Sequence, residues 1–154
     1  MEQKKPIKRH KAMQPLSREH HQRLLLSWKI RTGISKGVSV DRIKSYLDWY
    51  YNAHLEPHFH AEENYIFPIL GNGHELVKKA ISQHRRLERL FNNPTELKKS
   101  ISLIEEELEG HIRFEERILF NEIQKVATED QMNMVSDLHP ETKFEENNAD
   151  LFWE

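Results

Sequence analysis

Apolar residues recur at three- and four-residue steps along most of this chain, the period of an amphipathic helix. The alternation expected of a half-buried strand appears nowhere. A first helix is predicted from about Arg18 to Arg31, with Ser17 as its N-cap. Leu24, Leu25, Trp28 and Ile30 form its apolar face, and Gly33 ends it. After a loop to Ser39, a second helix is expected from about Val40 to Leu70, carried by Ile43, Tyr46, Leu47, Tyr50, Tyr51 and Leu55. Pro57 lies inside it and predicts a kink. Gly71-Asn72-Gly73 is a turn signal. A third helix is expected from about His74 to Phe91, and Asn92-Asn93-Pro94 breaks it. A fourth runs from near Glu96 to about Ala127, and Thr128 caps a short last helix to Leu138.

Long helices with short turns predict an all-α fold, an antiparallel up-down-up-down four-helix bundle with a short C-terminal helix and tail. The expected organisation is a disordered basic arm over 1–15, the helical domain over 16–138, and a tail over 139–154. Leu151-Phe152-Trp153 is too apolar for a free tail and predicts that it folds back on the bundle.

Composition narrows the function. The 154 residues carry a net charge of −2 and no cysteine. Neither nucleic acid nor membrane is suggested as a partner by that balance. Disulfides and thiolate metal sites are excluded. Met1 to Gln14 holds no apolar run, which predicts no signal peptide, and no apolar segment reaches the roughly 18 residues of a membrane span. A cytoplasmic protein is expected.

Ten histidines is a high count, and several fall in a repeat. His58-Phe59-His60-Ala61-Glu62-Glu63-Asn64-Tyr65-Ile66-Phe67 aligns without a gap on His111-Ile112-Arg113-Phe114-Glu115-Glu116-Arg117-Ile118-Leu119-Phe120. A His and a Glu four apart share one helix face. The pattern His-x-Arg-Leu precedes each block, as His21 to Leu24 and as His84 to Leu87. Six candidate metal ligands result: His21, His58, Glu62, His84, His111 and Glu115. His20 competes with His21, and the leucine offset favours His21. Glu63 and Glu116 point about 100° away from the ligands, as acceptors for the ligand imidazoles or partners for Arg and Lys. Phe67 and Phe120 are core residues that also shield the site. Imidazole with carboxylate and no thiolate suits iron or manganese, with zinc an alternative.

At Arg18-Glu19-His20-His21, His58-x-x-x-Glu62-Glu63 with Phe67-Pro68, His84, and His111-x-x-x-Glu115-Glu116 with Phe120, the chain resembles the hemerythrin-like (HHE cation-binding) family. The resemblance covers roughly Leu16 to Ala127. It implies a four-helix bundle around two iron ions in an oxo- or hydroxo-bridged di-iron centre that binds or reacts with dioxygen or nitric oxide. Dioxygen-carrying members add a second histidine one turn from the first on helix three, where this chain has Ala80 and Glu88. Their last carboxylate follows its histidine by five residues rather than four. The set here looks more like the di-iron proteins that repair iron–sulfur centres, which often carry an N-terminal domain with paired cysteines. The expected function is sensing, scavenging or an iron-centre stress response. The alternatives are an iron donor or redox enzyme, with a redox partner the sequence does not name, and a reversible dioxygen carrier.

Overall fold

The computed structural model describes residues 8–154, and among them every regular element is helical. Five helices follow one another. Helix α1 is Gln14–Ser35, entered from a 3-10 turn at Lys11–Met13. Helix α2 covers residues 40–70, α3 is Glu75–Phe91, α4 covers residues 97–126 and α5 is Glu129–Leu138.

Helix α1 is longer at both ends than the sequence predicts. Pro15 occupies its first turn, where a missing N–H costs nothing, so Ser17 lies inside the helix rather than capping it. Gly33 does not end it either. The turn is made by Gly37 at φ 72, with Val38 N–H donating to the Gly33 carbonyl at 3.0 Å. The buried face of α1 includes the stripe Leu16, His20, Arg23, Ser27 and Ile30, with Leu26, Lys29 and Gly33 beside it. Leu25 and Trp28, expected in the core, are 37% and 49% exposed. The stripe keeps the three- and four-residue step, but its middle is polar, so a search for apolar residues selects the wrong face.

The expected arm over 1–15 is corrected for its described part. Ala12 and Met13 are buried, and Arg9 donates to the Glu116 backbone oxygen at 2.8 Å. Residues 1–7 of that arm lie outside the described residues.

Helices α2 and α4 are continuous but not uniformly α. Helix α2 has π turns at Tyr51–Leu55 and Glu62–Ile66, and α4 has one at Glu115–Leu119. The first precedes Pro57 and absorbs the break a proline imposes. The other two begin at Glu62 and Glu115, the matching glutamates of the repeat. Ser39 caps α2, accepting from Arg42 N–H at 3.4 Å. Thr128 caps α5 in a capping box with Gln131.

Contacts between helices pair residues in opposite order. On α1 and α4, His20 meets Glu116 and Arg31 meets Glu105. On α2 and α3, Glu63 meets His84 and Tyr51 meets Phe91. The bundle buries two apolar clusters. One includes Leu26, Ile43, Leu47, Phe91, Ile104 and Leu108. The other includes Met13, Leu16, Phe67, Val77, Phe120 and Ile123, and it takes Met132 and Val135 from α5. A polar group of histidines and glutamates is buried alongside both.

The C-terminal tail lies on α1 and α2. Phe152 is buried in the first cluster, and a Cβ at Gly33 would stand 2.8 Å from its ring. Lys29 donates to Glu146 Oε2 at 2.6 Å and to the Tyr46 hydroxyl at 3.1 Å. Its ammonium sits 4.3 Å from the Trp153 ring centroid. Arg42 forks onto Asp150 at 2.7 and 2.9 Å.

Candidate metal centre

Four imidazoles and two carboxylates meet inside the bundle. Helix α1 supplies His20, α2 supplies His58 and Glu62, α3 supplies His84, and α4 supplies His111 and Glu115. All six are buried, with Glu62, His84 and Glu115 at 0% exposure. The inner ring nitrogens converge on the carboxylates. His58 Nε2 and His84 Nε2 both stand 3.2 Å from Glu62 Oε1. His84 Nε2 is also 3.2 Å from Glu115 Oε1, and His111 Nε2 is 2.5 Å from the same oxygen. His20 Nε2 lies 3.2 Å from Glu115 Oε2 and 3.6 Å from Glu62 Oε2.

The outer nitrogens are each tied down. His20 Nδ1 donates to Glu116 at 2.7 Å, His58 Nδ1 to Glu19 at 3.2 Å, His84 Nδ1 to Glu63 at 2.8 Å and His111 Nδ1 to the Gln83 side-chain oxygen at 2.6 Å. A carboxylate or amide oxygen only accepts, so a proton sits on each Nδ1, and Nε2 is the inward nitrogen left to take either a metal or a second proton. The acceptors are braced in turn. Arg9 holds Glu116, Arg85 holds Glu63, and His139 Nε2 holds the second oxygen of Glu19. Glu63 and Glu116 therefore serve an imidazole and an arginine at once.

The π turns bring in the aromatic walls. In each, the backbone N–H five residues on bonds back to the glutamate carbonyl, Phe67 to Glu62 and Phe120 to Glu115. This wider turn sets Phe67 and Phe120 nearer the face of their glutamates than an α turn would. Phe67 then stacks on His84 at 5.4 Å and Phe120 on His20 at 5.1 Å. Phe59 also stacks on His84, at 3.8 Å.

His21 is corrected by the structure. Its side chain is exposed, and His20, at 2% exposure, takes the position assigned to it. Neighbouring residues on a helix point about 100° apart, so only one can enter. The leucine offset misled because Arg23, not Leu24, occupies in α1 the place of Leu87 in α3, three residues after the inward histidine. His54 and Glu88 do not join the cluster. Sequence reasoning also missed Glu19, Gln83, Arg9 and His139. The step Leu16–His20–Arg23–Ser27–Ile30 was the available signal for His20, with Glu19 beside it.

The donor set fits a metal. Glu62 Oε1, Glu62 Oε2 and Glu115 Oε2 are buried without a hydrogen-bonding partner, and two such carboxylates side by side need cationic charge between them. Burial pushes the Glu62 carboxyl up and Glu115 pushes the same way, but His58 and His20 outweigh both and hold it at about 2. Burial likewise opposes ionisation of Glu115, which His111 and His20 still hold well below the usual carboxylate range. Burial disfavours charge on His20, yet Glu115, Glu116 and Glu62 raise its pKa well above normal; the same opposition raises His84. Burial lowers His111. The centre thus draws cations, and protons compete with metal for it. The ligand atoms divide into two sets, each within 4.8 Å: His20, His58, Glu62 and Glu115, and Glu62, His84, His111 and Glu115. Both carboxylates belong to both sets.

A helical bundle with histidines and glutamates converging on its buried centre is the arrangement by which helical proteins hold metal cations between their helices. The hemerythrin HHE cation binding domain matches this chain over residues 9–93, more than half of its length. The chain belongs to that family. The matched span contains His20, His58, Glu62 and His84, and the structure adds His111 and Glu115 from beyond it. A search of curated proteins and a search of solved structures each found no match. Among the described residues no helix is long and apolar enough to cross a membrane.

Proposed function

We propose that this chain is a non-haem di-iron protein that binds or reacts with dioxygen or nitric oxide in sensing, scavenging or an iron-centre stress response. The observation that carries the reading is the division of the ligands into two sets that share both carboxylates. His20 and His58 would hold one ion, His84 and His111 the other, with Glu62 and Glu115 between them. An all-nitrogen and oxygen set favours iron or manganese over a thiolate-seeking metal. The up-down-up-down order of the bundle is part of this reading and is supported by the opposed residue pairings. Bound there, iron supplies redox chemistry and open positions for small diatomic ligands.

The protein's own part is to orient and to exclude. Glu116, Glu19, Glu63 and Gln83 fix four ring planes, and Phe59, Phe67 and Phe120 cover the imidazoles against water. Four imidazoles and two carboxylates do not fill the octahedral positions of two irons, which leaves room for ligands at both. Ala80 and Glu88 flank His84 where a carrier would place another histidine. We therefore expect irreversible oxidation in air. The test is to expose the reduced protein to dioxygen and purge with inert gas. A persistent oxidised spectrum supports the reading. Repeated return of the reduced spectrum without added electrons overturns it in favour of a reversible carrier.

A further inference from the structure

Arg23 is buried to 2% exposure in the stripe of α1 that faces the bundle, yet among the described residues no carboxylate lies within ion-pairing distance of it. One terminal nitrogen donates to the Glu19 carbonyl at 2.6 Å and the other to the His54 carbonyl at 2.9 Å. Among the described residues its Nε has no partner. A buried charge satisfied only by neutral carbonyls is costly unless an anion completes it. Two more buried polar atoms nearby lack partners among the described residues: the hydroxyl of Tyr50, itself 1% exposed, and Nε2 of His54.

All three side chains line one cavity of about 210 Å³ between α1, α2 and tail residues 141–144. Three rings form an apolar wall, with Phe144 at 4.9 Å from His54 and 6.2 Å from Tyr50 between centroids. The other charges on the lining are largely committed. Glu19 is held by His58 and His139, and Arg18 pairs with Glu141 at 2.6 Å. Lys143 also lines the cavity and is exposed.

We infer that this cavity is a binding site for a small monocarboxylate. One carboxylate oxygen accepts from Arg23 Nε–H and the other from the Tyr50 hydroxyl, and a short alkyl chain lies against the ring wall. Burial raises the Tyr50 pKa, so the phenol keeps the proton it donates. Burial, with Arg23 adding to it, lowers that of His54, so the imidazole adds no second cation. A multiply charged oxyanion is disfavoured because Arg18 is already paired with Glu141 and Lys143 is exposed, which leaves Arg23 as the buried cation of the lining, with the Glu19 carboxylate beside it. The volume equals that of about seven liquid waters at roughly 30 Å³ each, enough for an acid of a few carbons. The site uses none of the six ligands of the metal cluster and adjoins it through Glu19, which lines the cavity and accepts from His58.

The test is calorimetric titration of the full-length, metal-loaded chain with propionate, and separately with inorganic phosphate. The metal content of every sample is measured. One propionate site per chain is expected. Tyr50→Phe removes a hydroxyl that has no partner in the fold, so the fold is retained, and propionate affinity should fall about tenfold. Arg23→Gln should abolish binding. Failure of propionate to bind the wild type overturns the proposal and leaves a water-filled cavity. Unchanged affinity in Tyr50→Phe at equal metal content overturns it too, because the anion then sits elsewhere, at the metal included. Tighter binding of phosphate than of propionate overturns the carboxylate class.

Discussion

At the scale of single residues, the cluster depends on groups that never touch its centre. Gln83 is the neutral acceptor among the four that fix an imidazole, and it receives His111 Nδ1–H at 2.6 Å. Replacing it by leucine frees that ring to change tautomer and turn. Metal affinity in Gln83→Leu should fall about 10- to 100-fold, read by competition with a chromophoric chelator. His20→Ala should lose more metal than His21→Ala, because His20 is buried against both carboxylates while His21 faces solvent. The opposite order would mean that α1 is rotated by one residue. The gap-free repeat located His58, Glu62, His111 and Glu115, all of which the structure buries together. It failed at His20 for a physical reason: a buried arginine stands where the other half has a leucine, and no apolar pattern anticipates a buried arginine.

At the scale of elements, the three- and four-residue period identified the long helices. It could not identify the π turns, since a wider turn adds one residue without changing the residue types around it. Nor did it explain Gly33, which reads as a helix end but lies inside α1 to admit Phe152. Gly33→Ala would force a Cβ to 2.8 Å from that ring. Overpacking of this kind costs about 1–3 kcal/mol, and chemical denaturation should show the loss, with faster proteolysis of the tail. In a Phe152→Ala background the sign should reverse, to a gain of up to about 1 kcal/mol, since alanine is the better helix former. A loss of equal size in both backgrounds would show that the tail is not seated on Gly33.

The tail is also sensitive to pH. Burial raises the Glu146 carboxyl, but Lys29 and Tyr46 outweigh it and leave its pKa below the ordinary 4.5. A depressed carboxylate pKa stabilises the fold above the unfolded value and loses that contribution as pH falls through the folded one. The stability difference between wild type and Glu146→Gln should therefore be constant near neutrality and shrink below 4.5. A difference that stays constant through that range would show that Glu146 is not engaged in the docked tail.

At the scale of the whole molecule, fold and metal are expected to be one equilibrium. The six ionisable groups of the cluster are buried with two apolar clusters around them, and a cation satisfies their orphaned oxygens. Metal at a hundred times its dissociation constant should add about 2.7 kcal/mol to stability, visible as a rise in melting temperature that chelation reverses. The central claim is that two ions share Glu62 and Glu115. Elemental analysis of the purified chain, wild type against Glu115→Ala, tests it most directly. About two ions per chain, mainly iron, are expected in the wild type, and both should be lost from the variant because each set uses Glu115. A single ion in the wild type, or full metal content in Glu115→Ala, would contradict the shared di-metal centre.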